Sequence, residues 1–239
     1  MQALFPSGKT GIKGLDNPFG RLYNQETTLR YTCFLKRRQE VPRNFLYTRD
    51  EIIQAALSLT REQGIGALTA RALGHRLGTT AKPIFSQFAS MEEVQCAVRQ
   101  EARRTYETYL RTDMQAGHYP PYKASGMAYI RFAREERELF WLLFMRDRSD
   151  ETMIDDRESV RPLLELLQQK LGLREERAAL FHGEMWLFAH GIAVAVATNY
   201  LPWEEEKVSQ MMTDVYMGLR ARFETEENEG GQNAYGKHH

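Results

Sequence analysis

From Thr48 onward, apolar side chains recur three and four positions apart. Ile52, Ile53, Ala56, Leu57 and Leu59 fall on one stripe, which predicts an amphipathic helix with a single buried face. Thr48-Arg49-Asp50-Glu51 opens that stripe as a capping box, its hydroxyl and carboxylate satisfying amides that a first turn leaves without partners. Gly64 and Gly66 supply the left-handed backbone that ends the helix. Thr69 caps a second, short helix in which Ala72, Leu73 and Leu77 face inward. Gly78 makes a sharp turn, and Thr79 or Thr80 opens a third short helix running through Phe88. Ser90-Met91-Glu92-Glu93 repeats the capping-box pattern and starts a long helix toward Thr112 or Asp113.

Beyond Gly117, the pair Pro120-Pro121 closes one helix and pre-organises the next. Helical segments are predicted near 122–137, 138–147, 157–170, 174–200 and 203–224, separated by Ser149-Asp150, Leu171-Gly172 and Leu201-Pro202. No run alternates with period two, so the expected class is all-α. Two short helices joined by a glycine-centred turn cannot build a core alone and must lean on the helices before and after them. That is the pattern of a helix-turn-helix. Residues 1–46 show no periodicity and read as a poorly ordered basic extension, and residues 226–239, acidic and glycine-containing, as a frayed tail.

Composition narrows the class. With 239 residues, 42% of them hydrophobic, the chain can bury a substantial core. Its two cysteines, Cys33 and Cys96, lie far apart without a C-x-x-C pair, which predicts neither a disulfide framework nor a thiolate metal site. No signal-peptide pattern and no uninterrupted membrane-length apolar run are present, so a cytoplasmic protein without a membrane partner is expected. The net charge of zero averages two unlike halves: residues 1–90 carry 13 Lys/Arg against 6 Asp/Glu, and residues 91–239 carry 19 against 26. A basic front suits a polyanion. Lys36, Arg37, Arg38 and Arg43 stand just before the first helix, where an arm can reach a minor groove. Ser7-Gly8-Lys9-Thr10 is not a phosphate-binding loop, because Ala3 occupies the place of the required first glycine.

Residues 48–94 resemble the DNA-binding domain of the tetracycline-repressor (TetR) family of bacterial regulators. The likeness runs through Thr48 to Leu59 with Ala55-Ala56, then Gly64, Leu68-Thr69, Ala72-Leu73, Leu77-Gly78-Thr79-Thr80, Phe85-Ser86-Gln87-Phe88 and Ser90-Met91-Glu92-Glu93. The rest of the chain is similar to the family in being helical, with Trp186, His190 and Gly191 in a pattern resembling one group of its C-terminal domains. The resemblance implies a head at 47–92 that binds operator DNA and a helical domain at 93–225 for ligand binding and dimerisation. It further implies a ligand-responsive transcription regulator, usually a repressor, with no cofactor. The expected partners are double-stranded operator DNA, a small-molecule effector and a second copy of the chain, paired through the last two long helices. The family commonly carries tyrosine and then histidine where this chain has Phe85 and Gln87, and a lysine is missing near Met91. Phe85 lacks a hydroxyl that would contact phosphate, whereas Gln87 keeps a donor.

By physical role, Thr79, Thr80, Lys82 and Pro83 are candidates for the groove surface: Lys82 reaches guanine or phosphate, and the Pro83 ring lies against a thymine methyl. Arg71 and Arg76 are candidates for steadying the backbone, and Phe85, Ser86 and Gln87 complete the candidate DNA-binding set. Each threonine serves equally well as a cap, and each cation as a solvated charge. In the rear, Phe132, Trp141, Phe144, Met145, Met185, Trp186, His190 and Asn199 are candidate effector-pocket residues. Ordinary core packing accounts better for any one aromatic among them. The small residues Gly191, Ala193, Ala195 and Ala197, and the stripe Val208, Met212, Val215, Leu219 and Phe223, suit either helix packing within the chain or pairing with a copy. Two other classes compete. One is an enzyme using His182, Glu184 and His190, although residues two apart on a helix point away from each other and no metal site is expected. The other is a helical interaction protein that has lost DNA binding.

Overall fold

The computed structural model describes residues 46–147 and 153–235, with side-chain surroundings given for 46–147 and 160–225. The basic arm (Lys36, Arg37, Arg38, Arg43), the Ser7–Thr10 stretch and the Ser149-Asp150 separator lie outside them. Among the described residues there is no strand, and the fold is all-α.

The first helix, α1, runs Arg49–Gln63, and its capping box is complete: Thr48 Oγ1 accepts from the Glu51 amide at 3.2 Å, and Glu51 accepts from the Thr48 amide at 2.7 Å. Gly64 ends the helix at φ 78°. Gly66, expected to share that role, lies instead in a short 3-10 turn, Ile65–Ala67. Next, α2 spans Ala70–Arg76, with Thr69 Oγ1 accepting from the Ala72 amide at 3.1 Å. The third helix, α3, spans Lys82–Gln87 and starts later than expected. Neither Thr79 nor Thr80 is its cap residue. Ala81 holds that place, because the Thr79 amide turns back to the Gly74 carbonyl at 2.9 Å, while Thr80 Oγ1, one residue earlier, accepts from the Lys82 amide at 3.4 Å. Pro83 sits in the first turn, where a missing N–H costs nothing.

The long helix α4, Met91–Ala116, begins at Ser90, whose hydroxyl accepts from the Glu93 amide. Only that half of the second capping box forms, since the Glu93 carboxylate takes the Ala89 amide at 2.7 Å and pairs with Arg49. Gly117 closes α4 in the left-handed conformation at φ 74°. Then follow α5 (Pro121–Glu135), α6 (Arg137–Phe144), α7 (Met153–Leu171), α8 (Glu175–Ala197) and α9 (Glu205–Tyr235), the last running past the expected end near residue 224.

In the head, α1, α2 and α3 enclose Ile52, Leu57, Leu73 and Ile84, and α4 closes the cluster with Val94 and Val98. The rear packs α5 against α4 and α8, and both α7 and α9 pack on α8 and α5. One apolar cluster continues from head to rear through α4, and α1 also rests on α6. There Arg61 pairs with Glu136 at 2.8 Å.

One finding differs from the sequence analysis. Helix α8 is long and apolar enough, by length and composition, to cross a membrane. One side of it packs within the fold, where Ala178, Phe181, Met185, Ala189 and Ala193 are buried in the core.

Candidate nucleic-acid interface

The turn between α2 and α3 depends on Gly74. A Cβ built there would lie 3.0 Å from the Thr79 carbonyl oxygen, 3.0 Å from the Thr80 carbonyl carbon and 3.2 Å from the Ala81 amide, so a side chain would require the turn to give by a few tenths of an ångström. Gly78, at φ 68°, reverses the chain. With Ile84 fully buried, the rotation of α3 is set. At 100° per residue, Lys82, Phe85 and Ser86 share the opposite arc, and all three are exposed. Thr80 joins them at the mouth of the turn, while Thr79 and Pro83 are half-buried.

This surface is held from behind by a network centred on Arg49. Its guanidinium donates to the Gln87 carbonyl at 2.8 Å, pairs with Glu93 at 2.7 Å and lies 4.0 Å from the Phe88 ring centroid. Burial alone would raise the Glu93 pKa, but the Ala89 amide and Arg49 outweigh it and hold the carboxyl below the usual range. The Gln87 amide donates to the Tyr47 carbonyl at 3.1 Å, and the Tyr47 hydroxyl donates to the Leu77 carbonyl. Thus the start of α1, the turn after α2, the C-terminal end of α3 and the start of α4 are pinned together.

The rear contains a ring cluster. Tyr106 of α4 meets Phe132 and Phe144 at 5.2 Å each, and Tyr129 meets Phe144 at 5.0 Å and Phe140 at 5.7 Å. Two Tyr–His hydrogen bonds cross from α5 to α8: Tyr122 to His182 Nδ1 at 3.1 Å and Tyr129 to His190 Nδ1 at 2.8 Å. Burial pushes His182 down to about 4 and lowers His190 as well. A neutral imidazole takes either part in such a bond, accepting at Nδ1 in one tautomer and donating from it in the other. Trp186 stacks on His190 at 5.0 Å with 17° between the planes.

Comparison with known proteins agrees with this arrangement in both parts of the chain. Residues 52–97 match the profile of bacterial regulatory proteins of the tetR family, and residues 122–216 match that of the tetracyclin repressor-like C-terminal domain. The chain belongs to the TetR family. Among solved structures it is similar to a TetR-like transcriptional regulator from Rhodococcus sp. RHA1, at 16% identity and a TM-score of 0.52, covering 77% of this chain and 97% of that one. That likeness is one of fold. No curated protein matches the chain.

As a TetR-family protein the chain is a transcription regulator and not an enzyme. The three residues of the enzyme reading engage separate partners: His182 pairs with Tyr122, Glu184 with Arg222 at 2.7 Å, and His190 with Tyr129. Of the candidate DNA-binding set, Thr80, Lys82, Phe85 and Ser86 come together on one exposed face. Arg71 is exposed on α2, and Arg76 pairs with Glu62 at 2.5 Å. Gln87 is turned toward Tyr47. Of the candidate pocket set, Phe132, Phe144, Trp186 and His190 belong to one network of ring contacts. Met185 is buried, Trp141 is half-buried on α6, and Met145 is exposed at the end of that helix. Asn199 is exposed in the turn after α8 at φ 57°.

Sequence reasoning passed over Arg49, whose partners lie 38 and 44 residues away. It also missed the tyrosines that face the histidines, although a signal existed. Tyr122 and Tyr129 stand two helical turns apart, as do His182 and His190 within one residue, so each pair can share a face.

Proposed function

We propose that this chain is a homodimeric repressor of the cytoplasm that leaves its operator when a small molecule enters the rear domain. Residues 47–92 form the head that reads DNA, and 93–225 the effector-binding and dimerisation domain. The observation that carries the reading is the exposed Thr80, Lys82, Phe85 and Ser86 face, set by buried Ile84 and braced by Arg49. A duplex groove is the partner a rigid, cationic helix face of this size fits.

Dimerisation is supported by what α8 and α9 leave open. Leu180, Leu187 and Met217 are at least half exposed. Beside Gly183, Gly191 and Gly218 a Cβ would meet nothing within 4 Å, so a second backbone can approach closely. Effector binding is supported by the chemistry of the ring cluster, which is apolar with a few polar tips, as small-molecule sites are. A ligand that favours another arrangement of these rings acts on the head through α4 and through the Arg61 and Glu136 contact, changing the separation of the two heads in the dimer. Because half-site spacing is fixed by the duplex, a small change in that separation removes much of the affinity.

The test is a titration of the purified protein against the duplex upstream of its own gene and against an unrelated duplex, at two salt concentrations. Tighter binding to its own region, weakening with salt, is expected. Replacing both Thr80 and Lys82 with Ala should weaken specific binding at least tenfold, since each base or phosphate contact is worth about 1–3 kcal/mol, with the thermal midpoint unchanged. Equal affinity for both duplexes at both salts would favour a helical interaction protein instead.

A further inference from the structure

The exposed face of α3 is unusual in its chemistry. Its one large side chain is Phe85, 47% exposed and without a polar atom, between Lys82 one turn before it and Ser86 beside it. Hydrogen-bonding capacity nearby is already partly engaged. The Ser86 hydroxyl donates to the Pro83 carbonyl at 2.6 Å, and the Gln87 amide to Tyr47 at 3.1 Å. Pro83, the residue the sequence offered for an apolar base contact, is half-buried, 160° around the helix from Phe85 by the ideal rotation.

The base edges of the major groove present donors, acceptors and one apolar group, the C5-methyl of thymine. A rigidly held ring on a groove-facing helix gains by covering that methyl and loses by covering an unpaired donor or acceptor. The setting of α3 is rigid, because Ile84 is fully buried beneath it and the Gln87 carbonyl at its end is held by Arg49. From this geometry we infer that Phe85 is a specificity-determining residue, reading a thymine methyl in each operator half-site. The inference rests on the DNA-binding reading above and adds to it the chemical group that is read. Each half-site then contains an obligatory thymine whose only distinguishing feature to this residue is its methyl.

The experiment begins with duplexes selected from a random-sequence pool by the full-length protein. Each thymidine of the selected duplex is then replaced in turn by deoxyuridine, which deletes the methyl and keeps base pairing. At one thymidine per half-site, the replacement should weaken wild-type binding about fourfold, and about fifteenfold when made in both half-sites, from the transfer value of one methyl-sized group. Phe85→Ala should bind the thymidine and deoxyuridine duplexes alike, and Phe85→Leu should keep part of the discrimination. Pro83→Ala should keep all of it. Because Phe85 is exposed, the Phe85→Ala protein is expected to melt with the wild type. If no deoxyuridine replacement weakens the wild type, or if Phe85→Ala discriminates as well as the wild type, the assignment to Phe85 is overturned while DNA binding stands. If selection enriches no duplex, the DNA-binding reading falls and this inference with it.

Discussion

The head and the rear solve the same packing problem with different material. In the head the core is aliphatic: Ile52, Leu57, Leu73, Ile84 and Val94, closed at one end by Phe88. In the rear it is built of rings, with Tyr106, Tyr129, Phe132, Phe140 and Phe144 in mutual edge and tilted contact, and tyrosine hydroxyls meeting histidine nitrogens inside. Branched aliphatic side chains have few rotamers and no polar atoms, so they define one arrangement and hold it. Rings with polar tips keep hydrogen-bonding groups inside the fold that a guest molecule can re-pair. The first suits a surface that must present Lys82 and Phe85 in a fixed register, and the second suits a region that responds to what enters it.

The largest effects that sharpen this contrast come from core truncation. Phe132→Ala should cost about 3–5 kcal/mol and Leu73→Ala about 2–5 kcal/mol, since both side chains are fully buried. Urea unfolding followed by circular dichroism measures both. Added indole or benzene should restore stability to Phe132→Ala, where rings line the gap, and leave Leu73→Ala unchanged. Equal rescue of the two would remove the distinction between the cores.

A smaller effect is expected from pH. The folded state holds His182 near 4, below the 6.5 of an unfolded histidine, so between these values the unfolded chain binds the proton first. Stability is therefore complete above about pH 6.5 and falls as the solution becomes more acid, by up to about 1.4 kcal/mol per pH unit for this one group. His190, also lowered, adds in the same direction. His182→Gln should show a shallower loss between pH 6.5 and 5, and identical slopes for the two proteins would show that His182 does not titrate in this way.

The smallest of these effects lies at the start of the head. Thr48→Ala removes one side of a complete capping box and should lower the thermal stability by about 1 kcal/mol. Thr48→Ser should recover most of that loss. A midpoint indifferent to all three residues would show that the capping box adds nothing measurable to stability.

Much of the head was legible because its signals are local. The caps at Thr48, Thr69 and Ser90 and the turn glycines Gly64 and Gly78 act within four residues of themselves, and α1, α2 and α4 begin where those residues place them. The start of α3 was not legible. It depends on the Thr79 amide returning to Gly74, a choice made by the packing of α3 on α2 and not by the capping preference of threonine. The exposed face of α3 followed in part, since Lys82, Phe85 and Ser86 do share it, whereas the roles of Gln87 and Arg76 were decided by Tyr47 and Glu62, 40 and 14 residues away. In the rear, periodicity gave the helices but not their mutual rotation. Thus Phe132 and His190 entered one ring network while Asn199 ended in an exposed turn.

Gly74 has a consequence for retargeting. The backbone atoms that close the turn come within 3.0–3.2 Å of where its Cβ would stand, so the geometry of the motif is set by a close approach at a position away from the outward face of α3. The outward residues of α3 carry none of that burden. A library varying Thr80, Lys82, Phe85 and Ser86 while holding Gly74 and Ile84 constant would therefore sample new operator preferences on an unaltered scaffold.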